Sequence, residues 1–229
     1  MSPISNIDLS KTVQRIINDE WQSIPDSFTG TGAPGNFLEH LFGIDGGNFD
    51  TPDTGNWELK FHGGGSLLTL FHQQSFPKGN LHKIVRGFGW EDNNGYTSFR
   101  HTIRGGNVST GRGFYITNEN AQINVKNVET GDKVLAYWPH DILMTRFASK
   151  FRRLVVVSGE RRDRLIRFQY ADIFKEPKTS QFIQAIEEGV VAIDFDARTT
   201  DGRGLRDHGT KFRINFRDLP LLYHHYRRI

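Results

Sequence analysis

The sequence predicts a mixed α+β protein built around a central sheet. Apolar residues recur at helical spacing in several separate segments, and short runs elsewhere alternate apolar with polar residues. Glycine clusters at Gly46-Gly47 and Gly63-Gly64-Gly65 punctuate the chain between them. No internal repeat or low-complexity tract interrupts this pattern.

Taken in order, Leu9 to Trp21 carries Val13, Ile16, Ile17 and Trp21 at the spacing of a leading helix. Ser27 to Gly35 is a glycine-rich turn, after which Phe37, Leu38, Leu41 and Phe42 fit a short helix bearing Glu39. Trp57 to Phe61 suits a strand, and Gly63-Gly64-Gly65 reads as a hairpin turn joining it to Ser66–Gln74. No Gly-Lys-Ser/Thr follows those glycines, which argues against a phosphate-cradling loop. From Tyr96 to Val128, runs such as Phe114-Tyr115-Ile116 suggest an antiparallel meander. Ile142, Leu143, Phe147 and Phe151 make Asp141 to Arg153 helical. Leu154 to Val157 reads as a buried strand and Leu165 to Ala171 as another; Gln181 to Glu188 is a helix stopped by Gly189. Val191 to Arg198 and Lys211 to Phe216 alternate cleanly, and Asp218 to Arg227 is expected to form a closing helix.

A chain of 229 residues forms one domain or two closely joined lobes with a substantial core. It contains no apolar run of about 18 residues, hence no expected membrane span. Met1-Ser2-Pro3-Ile4-Ser5-Asn6 lacks the basic-then-apolar layout of a signal peptide. The absence of cysteine excludes disulfides and thiolate metal sites and fits a cytosolic protein. Lys and Arg number 29 against 26 Asp and Glu, a mildly basic balance compatible with a polyanion partner. Two stretches concentrate the positive charge: Lys150 to Arg167, and Arg203 to Arg217. Either phosphate neutralisation or a solvated surface accounts for the first.

The most informative segment is Pro52-Asp53 followed by Glu58-Leu59-Lys60. A strand's period of two puts Glu58 and Lys60 on one face, with Trp57, Leu59 and Phe61 on the other. Asp53, in the turn-rich stretch just upstream, can meet Glu58 at the strand's start. A hard cation such as Mg²⁺ takes oxygen ligands from one or two carboxylates, water and substrate phosphate. An ammonium beside it orients the attacking water, so the set reads as a nuclease. The same spacing also arises by chance, where a Glu/Lys pair is a solvated strand face; spacing alone leaves both readings standing.

A longer span resembles the MvaI/BcnI-type restriction endonucleases. The matching blocks are Gly30-Thr31-Gly32-Ala33-Pro34-Gly35-Asn36-Phe37-Leu38-Glu39, Phe49 to Asp53, Trp57 to Lys60, Ser66 to His72, and Arg206 to Asn215. The resemblance implies a PD-(D/E)xK restriction-endonuclease-like core, its mixed central sheet flanked by helices, with two lobes around a DNA cleft. It implies a single nuclease domain over 1–229, with approximately 1–135 mainly catalytic and 136–229 mainly DNA-recognising. By resemblance Asp53 and Glu58 are metal-binding carboxylates, Lys60 the catalytic lysine and Glu39 an additional active-site glutamate. His72, Arg206, Asp207, His208, Lys211 and Arg213 fall where DNA is contacted. Arg213 matches a position the family keeps as arginine. His72 matches a histidine of the BcnI type, whereas position 211 is histidine there and lysine here. That hybrid leaves the central base pair open.

The resemblance further implies Mg²⁺ as cofactor and 5′-phosphate products. It also implies action as a monomer, without an obligate protein partner, on double-stranded DNA at short CCNGG-like sites in a prokaryotic cytoplasm. Whether one metal or two operates is left open. A MutH-like, methylation-sensitive nickase of mismatch repair is the alternative enzyme, and a non-catalytic DNA-binding module the alternative outside enzymes. His224-His225, with no carboxylate placed beside them, read as an exposed helix end rather than a metal pair.

Overall fold

The leading helix expected from Val13 and Ile16 is α1 (Asn6–Ile16), followed by β1 (Gln22–Ser23) and α2 (Ala33–Leu41). The signature strand is β2 (Glu58–His62); β3 (Leu68–His72), α3 (Asn80–Phe88), β4 (Trp90–Glu91) and β5 (Thr97–Ile103) come next. Then come β6 (Phe114–Glu119), β7 (Gln122–Asn127), β8 (Val134–Pro139), α4 (His140–Lys150), β9 (Arg153–Arg162) and β10 (Leu165–Pro177). The chain closes through α5 (Thr179–Glu187), β11 (Val191–Thr199), β12 (Leu205–Asp207), β13 (Lys211–Ile214) and β14 (Tyr223–Arg228). This computed structural model describes residues 6–17, 20–44, 57–65, 67–106, 111–200 and 204–229. Asp53 therefore lies outside the described residues.

Two compact units interleave along the sequence: Met1–Ser66, Thr145–Thr179 and Leu219–Ile229 form the first, Leu67–Met144 and Ser180–Asp218 the second. Contacts gather each unit from separate stretches of chain.

In the first unit the sheet order is β1-β10-β9-β2, with β14 also pairing β10. β9 and β10 form a long antiparallel hairpin, and β2 runs parallel to β9 with Glu58 beside Leu154 and Lys60 beside Val156. Alternation divides this sheet into two faces. Leu59, Val155, Val157, Ala171 and Ile173 are buried with Leu9, Val13 and Ile16 of α1 and Phe37 and Leu38 of α2. Each such side chain contributes about 1.5–3 kcal/mol when removed from water. Register sends Glu58 and Lys60 to the other face with Leu154 and Val156. Phe147 and Phe151 are stacked near the end of α4, and Tyr223 packs edge-on against Phe147 and tilted against Phe174.

In the second unit the order is β3-β13-β11-β5-β4, with β12 on β11, beside a β6-β7-β8 meander. Its core is aromatic: Phe71, Phe182 and Phe212 cluster, while Trp138 lies against Phe195 and Phe212. The Trp138 indole N–H donates to the Gln73 carbonyl at 3.0 Å, which satisfies a polar atom in a buried ring.

Several expectations are corrected. The segment 218–227 is not a helix: a 3₁₀ turn over Phe216–Leu222, with Pro220 inside, leads into the strand β14. β14 is held because the wholly buried carboxylate of Asp172 accepts from Tyr226 Oη at 2.7 Å and from Arg228 Nε at 2.9 Å and Nη2 at 3.2 Å. His224 and His225 are thus on an edge strand, with His225 Nε2 3.3 Å from Glu176 Oε2. β2 and β3 do not form a hairpin across Gly63–Gly65, since β2 pairs β9 and β3 pairs β13 in different sheets. The meander contains β6, β7 and β8, while β5 pairs β11. α3 was not anticipated, although Leu81, Ile84 and Val85 are buried at helical spacing.

Candidate active site

Glu58 opens β2 at the outer position of its sheet, and its side chain is only 3 % exposed. A carboxylate so far from water needs compensating positive charge. Lys60, two residues on and hence on the same face, brings Nζ to 3.1 Å from Glu58 Oε1. Lys150, the last residue of α4, brings Nζ to 3.3 Å from Oε2. The lysines are themselves largely covered, 17 % and 13 % exposed. The ring of Phe151 lies 5.5 Å below the Lys60 ammonium. Tyr223, whose hydroxyl donates to the Phe151 carbonyl at 3.2 Å, has its pKa pushed well above the usual phenol value. Burial is the larger cause, and the negative charge of Glu58 adds to it.

Glu39 is half-buried on α2, the helix that packs on β2. Among the described residues no group of three or more His, Cys, Asp or Glu side chains is assembled as a metal cluster. The donor chemistry nevertheless suits a hard divalent cation. Glu58 supplies carboxylate oxygens in a partly enclosed position, the sequence places Asp53 just before its strand, and no thiolate is present to favour a softer metal.

The predicted DNA-contacting residues gather in the second unit. His72 and Lys211 face each other across β3 and β13, with Arg213 two residues along. Lys211 Nζ donates to Asp196 Oδ2 at 2.9 Å, and Arg100 Nε lies 3.4 Å from Asp196 Oδ1. Arg213 donates from Nη1 to Asp194 Oδ2 at 3.1 Å and from Nη2 to the Leu67 carbonyl at 2.9 Å. Thr102 Oγ1 donates to Asp194 Oδ1 at 2.7 Å. Burial alone would raise the Asp196 pKa, but the Lys211 hydrogen bond and charge, with His208 and Arg100, hold it below the usual carboxylate value.

Arg206, Asp207 and His208 are exposed on β12 and the turn after it. The turn is fixed by Gly209 N–H donating to Asp207 Oδ1 at 2.7 Å and His208 N–H donating to the Asp196 carbonyl at 2.9 Å. Gly209 has φ +82°, and a Cβ there would fall 2.8 Å from His72 Cδ2. Both the backbone and the histidine ring thus require glycine.

Sequence reading missed Lys150 as part of the Glu58 site and missed Asp194, Asp196, Thr102 and Arg100 on the polar sheet face. The Asp194–Asp196 pair had a signal: the alternation of β11 puts them on one face. The first basic stretch is largely engaged within the protein. Arg162 and Arg167 lie over the Trp21 ring at 4.7 and 5.1 Å, and Arg164 donates to the Ile24 and Pro25 carbonyls at 2.8 and 2.6 Å.

Comparison with solved structures gives two full-length likenesses to the restriction endonuclease MvaI. One is its complex with cognate DNA substrate, at TM-score 0.83 and 24 % identity, covering 100 % of this chain and 99 % of that one. The other is MvaI in the absence of DNA, at TM-score 0.58 and 22 % identity, covering 100 % of both chains. These likenesses establish the α+β fold, mixed sheet and helices included. No curated protein matches. Among the described residues no helix is long and apolar enough to cross a membrane. The profile of the MvaI/BcnI restriction endonuclease family matches residues 10–223, so the chain belongs to that family of DNA phosphodiester hydrolases.

Proposed function

We propose that this protein is a Mg²⁺-dependent type II restriction endonuclease, working in a prokaryotic cytoplasm. Its substrate is duplex DNA at a short pseudosymmetric site of the CCNGG kind. It acts as a monomer that nicks one strand per binding event, without an obligate protein partner. The observation that carries the reading is the buried Glu58 carboxylate set between Lys60 and Lys150, in a chain of this family.

In the proposed reaction a water oxygen attacks phosphorus and gives up a proton to solvent, the bond to the 3′ oxygen breaks, and that oxygen takes a proton from solvent and leaves as a hydroxyl. The 5′ side keeps the phosphate. Asp53 and Glu58 would hold Mg²⁺, which when bound supplies Lewis acidity to the phosphate and lowers the pKa of water. Lys60 donates a hydrogen bond to a non-bridging phosphate oxygen or to the attacking water, adding positive charge where negative charge accumulates. Glu39, on the helix packed against β2, orients that water.

Base reading is assigned to Arg213, Lys211, Arg206, Asp207, His208 and His72. Arginine pairs with guanine O6 and N7, and a carboxylate accepts from the cytosine amino group. The fixed positions of Lys211 and Arg213 support this assignment, because a restrained guanidinium or ammonium loses less freedom on binding. MvaI, the structural relative, is known in complex with cognate DNA.

The test is digestion of an unmethylated plasmid of known sequence with the protein and Mg²⁺, followed by sequencing of the cut ends. Discrete fragments ending at one short site, absent with Asp53→Ala, support the reading. Slow nicking confined to hemimethylated sites would instead identify a MutH-like enzyme. Absence of any Mg²⁺-dependent scission by folded protein would refute both.

A further inference from the structure

We propose that Lys150 is a built-in counter-ion for Glu58 that competes with the divalent cation and couples metal loading to the presence of a DNA phosphate. The inference rests on the reading above, in which Glu58 is a metal-holding carboxylate.

The geometry divides the carboxylate between two ammonium groups. Lys60 Nζ stands 3.1 Å from Oε1 and Lys150 Nζ 3.3 Å from Oε2, and all three side chains are at least four-fifths covered. Lys60 arrives with Glu58 on the same strand face, so their proximity is fixed by the local repeat. Lys150 arrives from another element, the end of α4, and its placement against the second oxygen is a tertiary choice. These three groups sum to one positive charge. A divalent cation at Glu58 therefore meets two ammoniums already in place. Like charges a few ångströms apart in a partly buried site repel by several times the thermal energy.

A lysine can relieve that repulsion because its ammonium is a compact charge on a flexible stem. A phosphate entering the site offers Lys150 a further anionic partner, so that cation and phosphate each lower the cost of binding the other. Such coupling is reciprocal: if DNA tightens metal binding, metal tightens DNA binding by the same factor. The free protein would thus hold metal weakly and load it fully when substrate is present.

The test measures Mn²⁺ binding directly, by electron paramagnetic resonance of the free ion, in wild type, Lys150→Met, Lys150→Gln and Glu58→Gln. Without DNA, both Lys150 variants are expected to bind Mn²⁺ at least about fivefold more tightly than wild type, as removal of one adjacent charge requires. A short duplex carrying non-hydrolysable phosphate linkages should tighten Mn²⁺ binding to wild type but much less to the Lys150 variants. The glutamine variant keeps the comparison available if the methionine one does not fold. Loss of binding in Glu58→Gln, with unchanged or weaker binding in the Lys150 variants, overturns the role of Lys150 alone. Wild-type Mn²⁺ binding in Glu58→Gln would overturn the metal-site reading and this inference with it.

Discussion

Arg213 of β13 reaches diagonally to Asp194 of β11, whose direct cross-strand neighbour is Lys211, with Nη1 donating to Oδ2 at 3.1 Å. The arrangement extends on both sides. Thr102 donates to the carboxylate's other oxygen, and the second guanidinium nitrogen donates to the Leu67 carbonyl. A guanidinium tied at two points, to a carbonyl and to a carboxylate that is itself held, is pre-oriented, whereas a free arginine must lose rotamer entropy before it reads a base.

Asp194→Ala releases Arg213 and leaves Thr102 without its acceptor. Binding to the cognate duplex is expected to weaken by about tenfold or more, since a good bidentate base contact is worth roughly 1–3 kcal/mol. Binding to a scrambled duplex should change little. Fluorescence anisotropy with the two duplexes measures the difference, and equal losses on both would reject a specificity role.

The Lys211–Asp196 pair gives a pH dependence of definite sign. Asp196 titrates below the usual carboxylate value in the folded protein, so folding favours its ionised form. Its contribution is complete above the ordinary value of about 4 and fades as pH falls through the depressed folded value. Lys211→Met removes that partner. Thermal melts of wild type and variant should differ near neutrality and converge as pH falls below the ordinary carboxylate value of about 4; a constant gap throughout the acid titration would contradict the assignment.

Arg228 and Tyr226 neutralise and solvate the buried Asp172 from an edge strand. Arg228→Met is expected to lower stability by about 2 kcal/mol. That is less than the roughly 3–5 for breaking a fully buried pair, because Arg228 is half exposed. Tyr226→Phe should lose about 1 kcal/mol, the net worth of one hydrogen bond. Urea unfolding reads both values, and β14 should lose amide-exchange protection in the arginine variant.

Glu58→Gln removes the buried negative charge of the candidate active site. Cleavage in Mg²⁺ is expected to fall by about three orders of magnitude, equivalent to roughly 4 kcal/mol of transition-state stabilisation. Duplex binding in chelator should tighten several-fold, because Lys60 and Lys150 are then left to attract phosphate. Plasmid relaxation and filter binding test the two halves separately. Retained cleavage would remove Glu58 from the chemistry.

Much of this architecture was legible locally. The placement of Glu58 with Lys60, and of Leu59 and Phe61 behind them, follows from a two-residue repeat. Apolar spacing likewise found α1, α2, α4 and α5, and alternation found β11 and β13. The closing segment misled because Tyr223-His224-His225-Tyr226-Arg227-Arg228 has no decisive apolar period. Its strand state is set by pairing with β10 and by an aspartate far away at position 172. Gly63-Gly64-Gly65 misled for a related reason: glycines permit a turn but do not choose which strands pair across it.

The sequence by itself determined the family, the local elements and the company Glu58 keeps on its own strand, since each is written in short-range patterns. Tertiary structure alone decided that Lys150, one cation among many in a basic stretch, meets the other oxygen of Glu58. It also decided that Asp194 and Asp196 restrain the proposed base readers. A charged side chain looks the same in sequence whether it ends in water or against a buried carboxylate. Which of these occurs depends on strand register and helix placement, and those are settled by residues distant along the chain.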